Sequence, residues 1–244
     1  MKRFSVISAL VAFFILVTVA LASGYSLFGD AQIVSPGNNS PNAVQLRSTC
    51  PSFPSFLCFS NNTFTFGGVD FDIPPGTTFA TFDMLATDFK FIQGSCGSGS
   101  PRFQINVTNG TNSGNIFVYI GPPPAYAGCP MNVYLSTGDL LEGVNPIDTS
   151  QLPLGAFYDP YNVAVTKYGG YQVTGVQLVA DGGWVFGVQT VHVDNVNIDG
   201  TLYTFDQPQS REQCKKSGWE VVTRTDNSTF KNQGDCIQYF NTGK

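Results

Sequence analysis

Val191-His-Val-Asp-Asn-Val-Asn-Ile-Asp-Gly-Thr-Leu-Tyr-Thr-Phe205 is the stretch that decides the fold. Asp199-Gly200 between two apolar-alternating runs is a signal for a two-residue type I′ hairpin. It predicts pairing of Ile198 with Thr201, Val196 with Tyr203, and Asp194 with Phe205. Apolar parity changes within the first run, since Val191 and Val193 are odd while Val196 and Ile198 are even. A one-residue slip would turn an apolar face to solvent, so a β-bulge near Asp194-Asn195 is expected.

The same period-two pattern extends upstream. Phe64 and Phe66 alternate with threonines, and Val69, Phe71 and Ile73 with Asp70 and Asp72. Phe89 and Phe91 alternate with Asp88 and Lys90, and Phe103, Ile105 and Val107 with Gln104 and Asn106. One apolar face per segment means half-buried antiparallel strands. Residues 116–120 are apolar on both faces and read as a central strand, stopped by Pro122-Pro123-Pro124, which cannot donate to a ladder. Further strands are expected at 162–166, 171–179 and 184–193, with one short helical turn around Thr137–Glu142. Short strands, Gly/Pro turns and no amphipathic helix indicate a sandwich or a barrel. The expected fold is all-β: an antiparallel, jelly-roll-like β-sandwich with a small disulfide-closed C-terminal tail.

Composition supports this. Charged residues are 12% of the 244-residue chain, against ~25% in ordinary domains, and turn formers and aromatics take their place. Residues 23–210 hold four Lys/Arg and thirteen Asp/Glu, whereas 211–244 hold six basic and four acidic residues. The acidic main segment argues against nucleic acid, whose binding depends on cations neutralising phosphates. The change of sign near Gln207 suggests a module boundary.

The N-terminus has Lys2 and Arg3 before an apolar run to Ala22, the layout of a secretory signal. Cleavage after Ala22 is expected, with cleavage after Ala31 as a second site and an uncleaved membrane anchor as the alternative. Residues 1–22 are thus read as signal peptide, 23–48 as a flexible linker around Ser35-Pro36-Gly37, 49–206 as the sandwich and 207–244 as the tail. An exported chain with an even number of cysteines suggests disulfides. Proximity favours Cys50–Cys58, Cys96–Cys129 and Cys214–Cys236. Asn38, Asn61, Asn106, Asn109 and Asn227 begin sequons for N-glycosylation.

Two resemblances add to this reading. The run Gly175–Trp184, followed by Val191-His-Val-Asp-Asn-Val196 and Asp199–Phe205, resembles the last strands of secreted jelly-roll domains. These include carbohydrate-binding modules of the galactose-binding-like type, and the resemblance implies a sandwich rather than a particular activity. Cys214-Lys-Lys-Ser-Gly-Trp219 with Phe230-Lys-Asn-Gln-Gly-Asp-Cys236 resembles a short tail on exported microbial proteins, with Ser217 where that pattern has glycine. Physically the tail is a mini-module, in which the disulfide contributes about 3 kcal/mol and Trp219 and Phe230 form a small core.

Enzyme signatures are lacking: the sequence holds no G-x-S-x-G, H-E-x-x-H, P-loop or G-x-G-x-x-G pattern. His192, the single histidine, shares a strand face with Asp194 but has no marked nucleophile beside it. Asp70 and Asp72 are candidate ligands for a structural Ca²⁺, with Asp181 in the Asp181-Gly182-Gly183 turn a weaker one. Tyr158, Tyr161, Tyr168, Tyr171 and Trp184 cluster near turn residues and are the candidate ligand-binding aromatics, suited to stacking on sugar rings if they face outward. The expected function is a non-catalytic extracellular module binding glycans or cell-surface and matrix polymers. The alternative is a structural or adhesive surface protein without a small ligand, and a secreted hydrolase is third.

Overall fold

The computed structural model describes residues 24–50, 64–142, 145–181 and 187–244. Two antiparallel sheets pack across one core. The five-stranded sheet has the order β1 (Tyr25–Gly29), β4 (Gly67–Phe71), β11 (Gln172–Ala180), β6 (Arg102–Thr108), β7 (Ser113–Tyr119). The six-stranded sheet runs β2 (Ala31–Val34), β3 (Ala43–Thr49), β12 (Val188–Ile198), β5 (Leu85–Gln93), β8 (Leu135–Ser136), with β13 (Thr201–Tyr203) paired to β12. The short strands β9 (Pro146–Ile147) and β10 (Asp159–Pro160) pair with each other. Val69, Phe103 and Leu178 from one sheet and Leu46, Phe91 and Val193 from the other belong to a single buried cluster. Alternation puts every second residue into it, and burial of those side chains is the main driving force for the sandwich.

The hairpin pairs as its sequence dictates, with Ile198 opposite Thr201 and Val196 opposite Tyr203. Asp199 and Gly200 have φ of 48° and 79°, the left-handed values of a type I′ turn. The β12–β5 register shifts between Asp194 and Asn197, and Asn195 sits at φ 48°, so the bulge lies where the parity change requires it. The ladder stops at Tyr203, and the expected Asp194–Phe205 pair does not form. Phe205 instead turns into the core and meets the Tyr25 ring edge-on at 4.9 Å.

Four local expectations are corrected. Residues 23–48 are not a linker over their described part: they supply β1 and β2, which edge the two sheets, and most of β3. Residues 162–166 lie in helix α1 (Tyr161–Tyr168) rather than a strand. Ala164 and Tyr168 are its buried residues, and Tyr161 and Val165 pack beside them, a helical stripe that outweighs the β-branched residues between. The stretch Thr137–Glu142 is not helical; Thr137 and Leu140 donate backbone hydrogen bonds to Thr87 and Leu85 and continue along β5. Finally, β7 is an edge strand rather than a central one, and Phe117 on its outer side is covered by the Arg102 guanidinium at 4.6 Å.

Cys96–Cys129 and Cys214–Cys236 are both bonded, with Cα separations of 5.4 and 5.7 Å. The Cys50–Cys58 pairing involves Cys58, outside the described residues, as are the leader and Asn61. In the tail, Cys214, Val222, Phe230 and Cys236 form a small buried cluster separate from the sandwich core, with Trp219 and Tyr239 against it. Helix α2 (Gln233–Thr242) carries Cys236 and is capped by Asn232, whose side chain accepts from the Asp235 amide. The tail touches the sandwich through polar clasps. Asn227 Nδ2 donates to the Leu202 carbonyl, Thr204 Oγ1 donates to Asn227 Oδ1, Gln213 Nε2 donates to Asn42 Oδ1, and the Thr223 amide donates to the Asp206 carbonyl.

Candidate functional site

The candidate aromatics separate into two environments. Tyr168 is buried and its hydroxyl donates to the Pro153 carbonyl. Tyr161 donates to the Phe82 carbonyl and packs edge-on against Phe79. Tyr171 packs on the core beside Tyr168. These three fasten α1 to the sandwich, and their rings do not form one exposed surface. Trp184 lies outside the described residues. Tyr158 is different: it is 61% exposed, and its ring lies parallel to that of Tyr126, 4° off parallel with centroids 6.3 Å apart. Tyr126 in turn meets Tyr119 at 5.4 Å.

No pattern in the sequence singles out Tyr126. It follows the proline run that ends the β7 segment, adopts φ 49°, and is anchored by its hydroxyl to the Pro146 carbonyl. Its backbone amide donates to the Pro122 carbonyl, so the turn after the prolines folds the ring back over the sheet edge. Tyr119 donates a short hydrogen bond to the buried carboxylate of Asp148. Burial and this bond raise the Tyr119 phenol well above its ordinary value, so it stays a neutral donor and acceptor.

Beside this trio a cleft of about 370 Å³ opens between the edges of the two sheets. Its walls include Tyr119, Tyr126, Pro122, Phe89 and Leu135, with Ser136, Thr137 and Asn145 as polar groups. A small number of polar groups in a mostly apolar wall suits a small ligand or one unit of a polymer. Leu154 and Phe157, 90% and 64% exposed, lie on the loop that leads to Tyr158. Gly155 lets that loop turn closely, since a Cβ there would stand 1.8 Å from the Thr149 carbonyl oxygen.

The catalytic candidates are placed elsewhere. His192 Nε2 lies 3.4 Å from Gln45 Oε1 and Nδ1 has no hydrogen-bond partner among the described residues. Asp194 has no solvent exposure and accepts from the Asn38 amide, Ser40 Oγ and the Asn195 amide. Asp88 accepts from Asn38 and Asn195 side chains. Asp88 and Asp194 therefore hold the 35–42 loop instead of facing a substrate. Asp70 accepts from Gln177, and Asp181 is ion-paired with Arg102. Among the described residues no group of three or more His, Cys, Asp or Glu is placed to hold a metal.

The described sequons have distinct surroundings. Asn109 Oδ1 caps the β6–β7 hairpin by accepting from the Thr111 and Asn112 amides. Asn106 lies within β6, Asn38 in the 35–42 loop, and Asn227 in the tail clasp.

The buried Asp206 and the half-buried His192 set opposing pH dependences. Burial and the nearby Asp194 push Asp206 up to about 6 from 3.8. Its folded value is raised, so its contribution to stability is complete below about 4 and is lost as pH rises to about 6. Burial and Lys90 push His192 down to about 4 from 6.5, so its contribution is present above 6.5 and lost as pH falls toward 4. The Asp206→Asn variant removes only the first slope. Thermal melts between pH 4 and 6 should show its Tm rising with pH more steeply than that of the wild type.

No family model and no curated protein matches the chain. Two solved structures are similar to it at low identity. One is a family 11 carbohydrate-binding module from Clostridium thermocellum in complex with a β-1,3-1,4-mixed-linked tetrasaccharide, at 13% identity and a TM-score of 0.38, covering 76% of this chain and 93% of that one. The other is an exo-β-agarase, at 11% identity and a TM-score of 0.33, covering 79% of this chain and 24% of that one.

Proposed function

We propose that this is an exported, non-catalytic module of jelly-roll type that binds glycans or other cell-surface and matrix polymers. The observation that carries the reading is the exposed Tyr158 ring, held parallel to that of Tyr126, which lines the cleft. A ring fixed in orientation by a neighbour presents a flat apolar face to a sugar with little loss of side-chain entropy. Hydroxyl and amide groups of Ser136, Thr137 and Asn145 lie in the adjoining cleft. Polysaccharide pull-down and affinity electrophoresis test this. Tyr158→Ala should weaken retention about tenfold, equivalent to ~1.4 kcal/mol, with little change in Tm because the ring is mostly exposed. A folded protein retained on no polymer overturns the proposal.

The packing of Tyr161, Tyr168 and Tyr171 against the core favours a second reading, a structural or adhesive surface protein without a small ligand. In that case the protein should partition with envelope or matrix material while ignoring isolated polysaccharides.

A further inference from the structure

The outer face of the five-stranded sheet carries a second feature, made by register. Ser26 stands opposite Asp70, Asp70 opposite Gln177, Gln177 opposite Gln104, and Gln104 opposite Phe117. This row crosses all five strands. Three of its side chains are wired together: Gln177 Nε2 donates to Asp70 Oδ1, and Gln104 Nε2 donates to Gln177 Oε1 at 2.8 Å. Arg102, one row over, donates to Gln104 Oε1 from Nε and Nη2 at 3.2 and 3.0 Å, pairs with Asp181, and covers Phe117. Aromatic rings bracket the row. At the β7 end stand Phe117 and Tyr119. At the β1 end Phe28 lies across Gly68, where a Cβ would be 2.3 Å from its ring, and Phe28 meets the exposed ring of Phe66 at 6.2 Å.

We propose that this face binds a neutral, linear polysaccharide laid across the strands, continuous through Tyr119 with the aromatic edge described above; the inference rests on the glycan-binding reading of that edge. Each glutamine amide has two donors and two acceptor lone pairs; the ladder and Arg102 occupy one donor of each, one lone pair of Gln177 and both of Gln104, which leaves an N–H on each amide and a lone pair on Gln177. The remaining groups recur at the inter-strand spacing of about 4.8 Å, close to the repeat of one sugar unit in an extended chain. Because the side chains hold one another in place, a chain of hydroxyls meets a preorganised array. The exposed Phe66 ring at the β1 end suits the apolar face of a terminal unit. Charge selects against acidic polymers: Arg102 is the only Lys or Arg in the five strands and is already paired with Asp181, while Asp70 adds a carboxylate.

The test uses full-length protein from a host that does not N-glycosylate, which keeps Asn106 on this face bare. Cellohexaose, xylohexaose and mannohexaose are compared with a hexagalacturonate by calorimetry. At least one neutral hexamer should bind and the galacturonate should bind at least tenfold more weakly. Gln177→Ala and Gln104→Ala should each lower affinity about tenfold. Gln104→Glu, which keeps the side-chain shape, should do the same, so a fold defect in an alanine variant does not leave the question open. Neutral binding that survives all three changes but is lost in Tyr158→Ala overturns the ladder and leaves the aromatic edge standing. Tighter binding of the galacturonate overturns the neutral class. No binding of any polymer by wild-type protein overturns the ladder together with the reading beneath it.

Discussion

Asp194→Ala should lower the unfolding free energy by about 3 kcal/mol, the largest effect expected of a polar substitution in the sandwich. The carboxylate sits at the β12 bulge, fully buried, and accepts at 2.7 Å from the Asn38 amide, at 2.6 Å from Ser40 Oγ and at 2.8 Å from the Asn195 amide. Truncation removes the shared acceptor of three half-buried donors, and each such loss costs ~1 kcal/mol. The 35–42 loop is the first to respond, because Asp194 and Asp88 are what tie it to β12 and β5. Asp194→Asn retains one acceptor oxygen and should cost roughly half as much. Burial and the neighbouring Asp88 hold the Asp194 pKa above its ordinary value, so exchanging the charge for a neutral amide removes an unfavourable term as well as a favourable one. Chemical denaturation of the two variants against wild type measures both. An Asp194→Ala cost below that of Asp194→Asn would contradict this account of the bulge.

The second large effect is confined to the tail. Cys236→Ser should unfold residues 208–244 and leave the sandwich cooperative. The core of the tail is Cys214, Val222, Phe230 and Cys236, with Trp219, Ile237 and Tyr239 partly buried against it, too little apolar surface to offset the chain entropy of ordering it. Its disulfide closes a loop with a sequence separation of 22, worth about 3 kcal/mol. Without that constraint the tail is held only by its small core and by exposed or half-buried polar clasps at Asn42, Leu202, Thr204 and Asp206. Hydrogen exchange of the variant should show protection lost throughout α2 and retained in β11 and β12. Truncation after Gln207 should give the same sandwich spectrum with Tm lowered by several degrees. If β12 amides lose protection with the tail, residues 207–244 are part of one cooperative unit and the proposed module boundary is wrong.

How far the sequence discloses this molecule follows from the range of the interactions. The Asp199-Gly200 hairpin and the Asp194-Asn195 bulge are local, so parity and turn chemistry reveal both. Cys96–Cys129 and Cys214–Cys236 follow from proximity. The β3 strand alternates too, with Val44 and Leu46 inward and Gln45 and Arg47 outward, but the Ser35-Pro36-Gly37 turn beside it lends the region the look of a linker. Helix α1 is hidden because Val163, Val165 and Thr166 favour strands, while its actual stripe of Tyr161, Ala164, Val165 and Tyr168 is only two turns long. Tyr126 has no pattern to mark it, since the proline turn alone brings its ring to Tyr158. The Asp70–Gln177–Gln104 row has no local signal at all. Each residue is an ordinary outward polar position, and their alignment exists only once β4, β11 and β6 are neighbours.

That strand order also has a kinetic consequence. The middle strand of the five-stranded sheet is β11 and the strand joining β3 to β5 in the other sheet is β12, both drawn from the last third of the chain. Until residues 172–198 have been synthesised, β4 has no partner on its inner side and β3 cannot be linked to β5. The pairings that join the local hairpins into sheets, those of β11 and β12, therefore close long loops, the regime in which folding is slow. Hairpins such as β2–β3 and β6–β7 can form earlier, but neither sheet can close before residue 198 has been made.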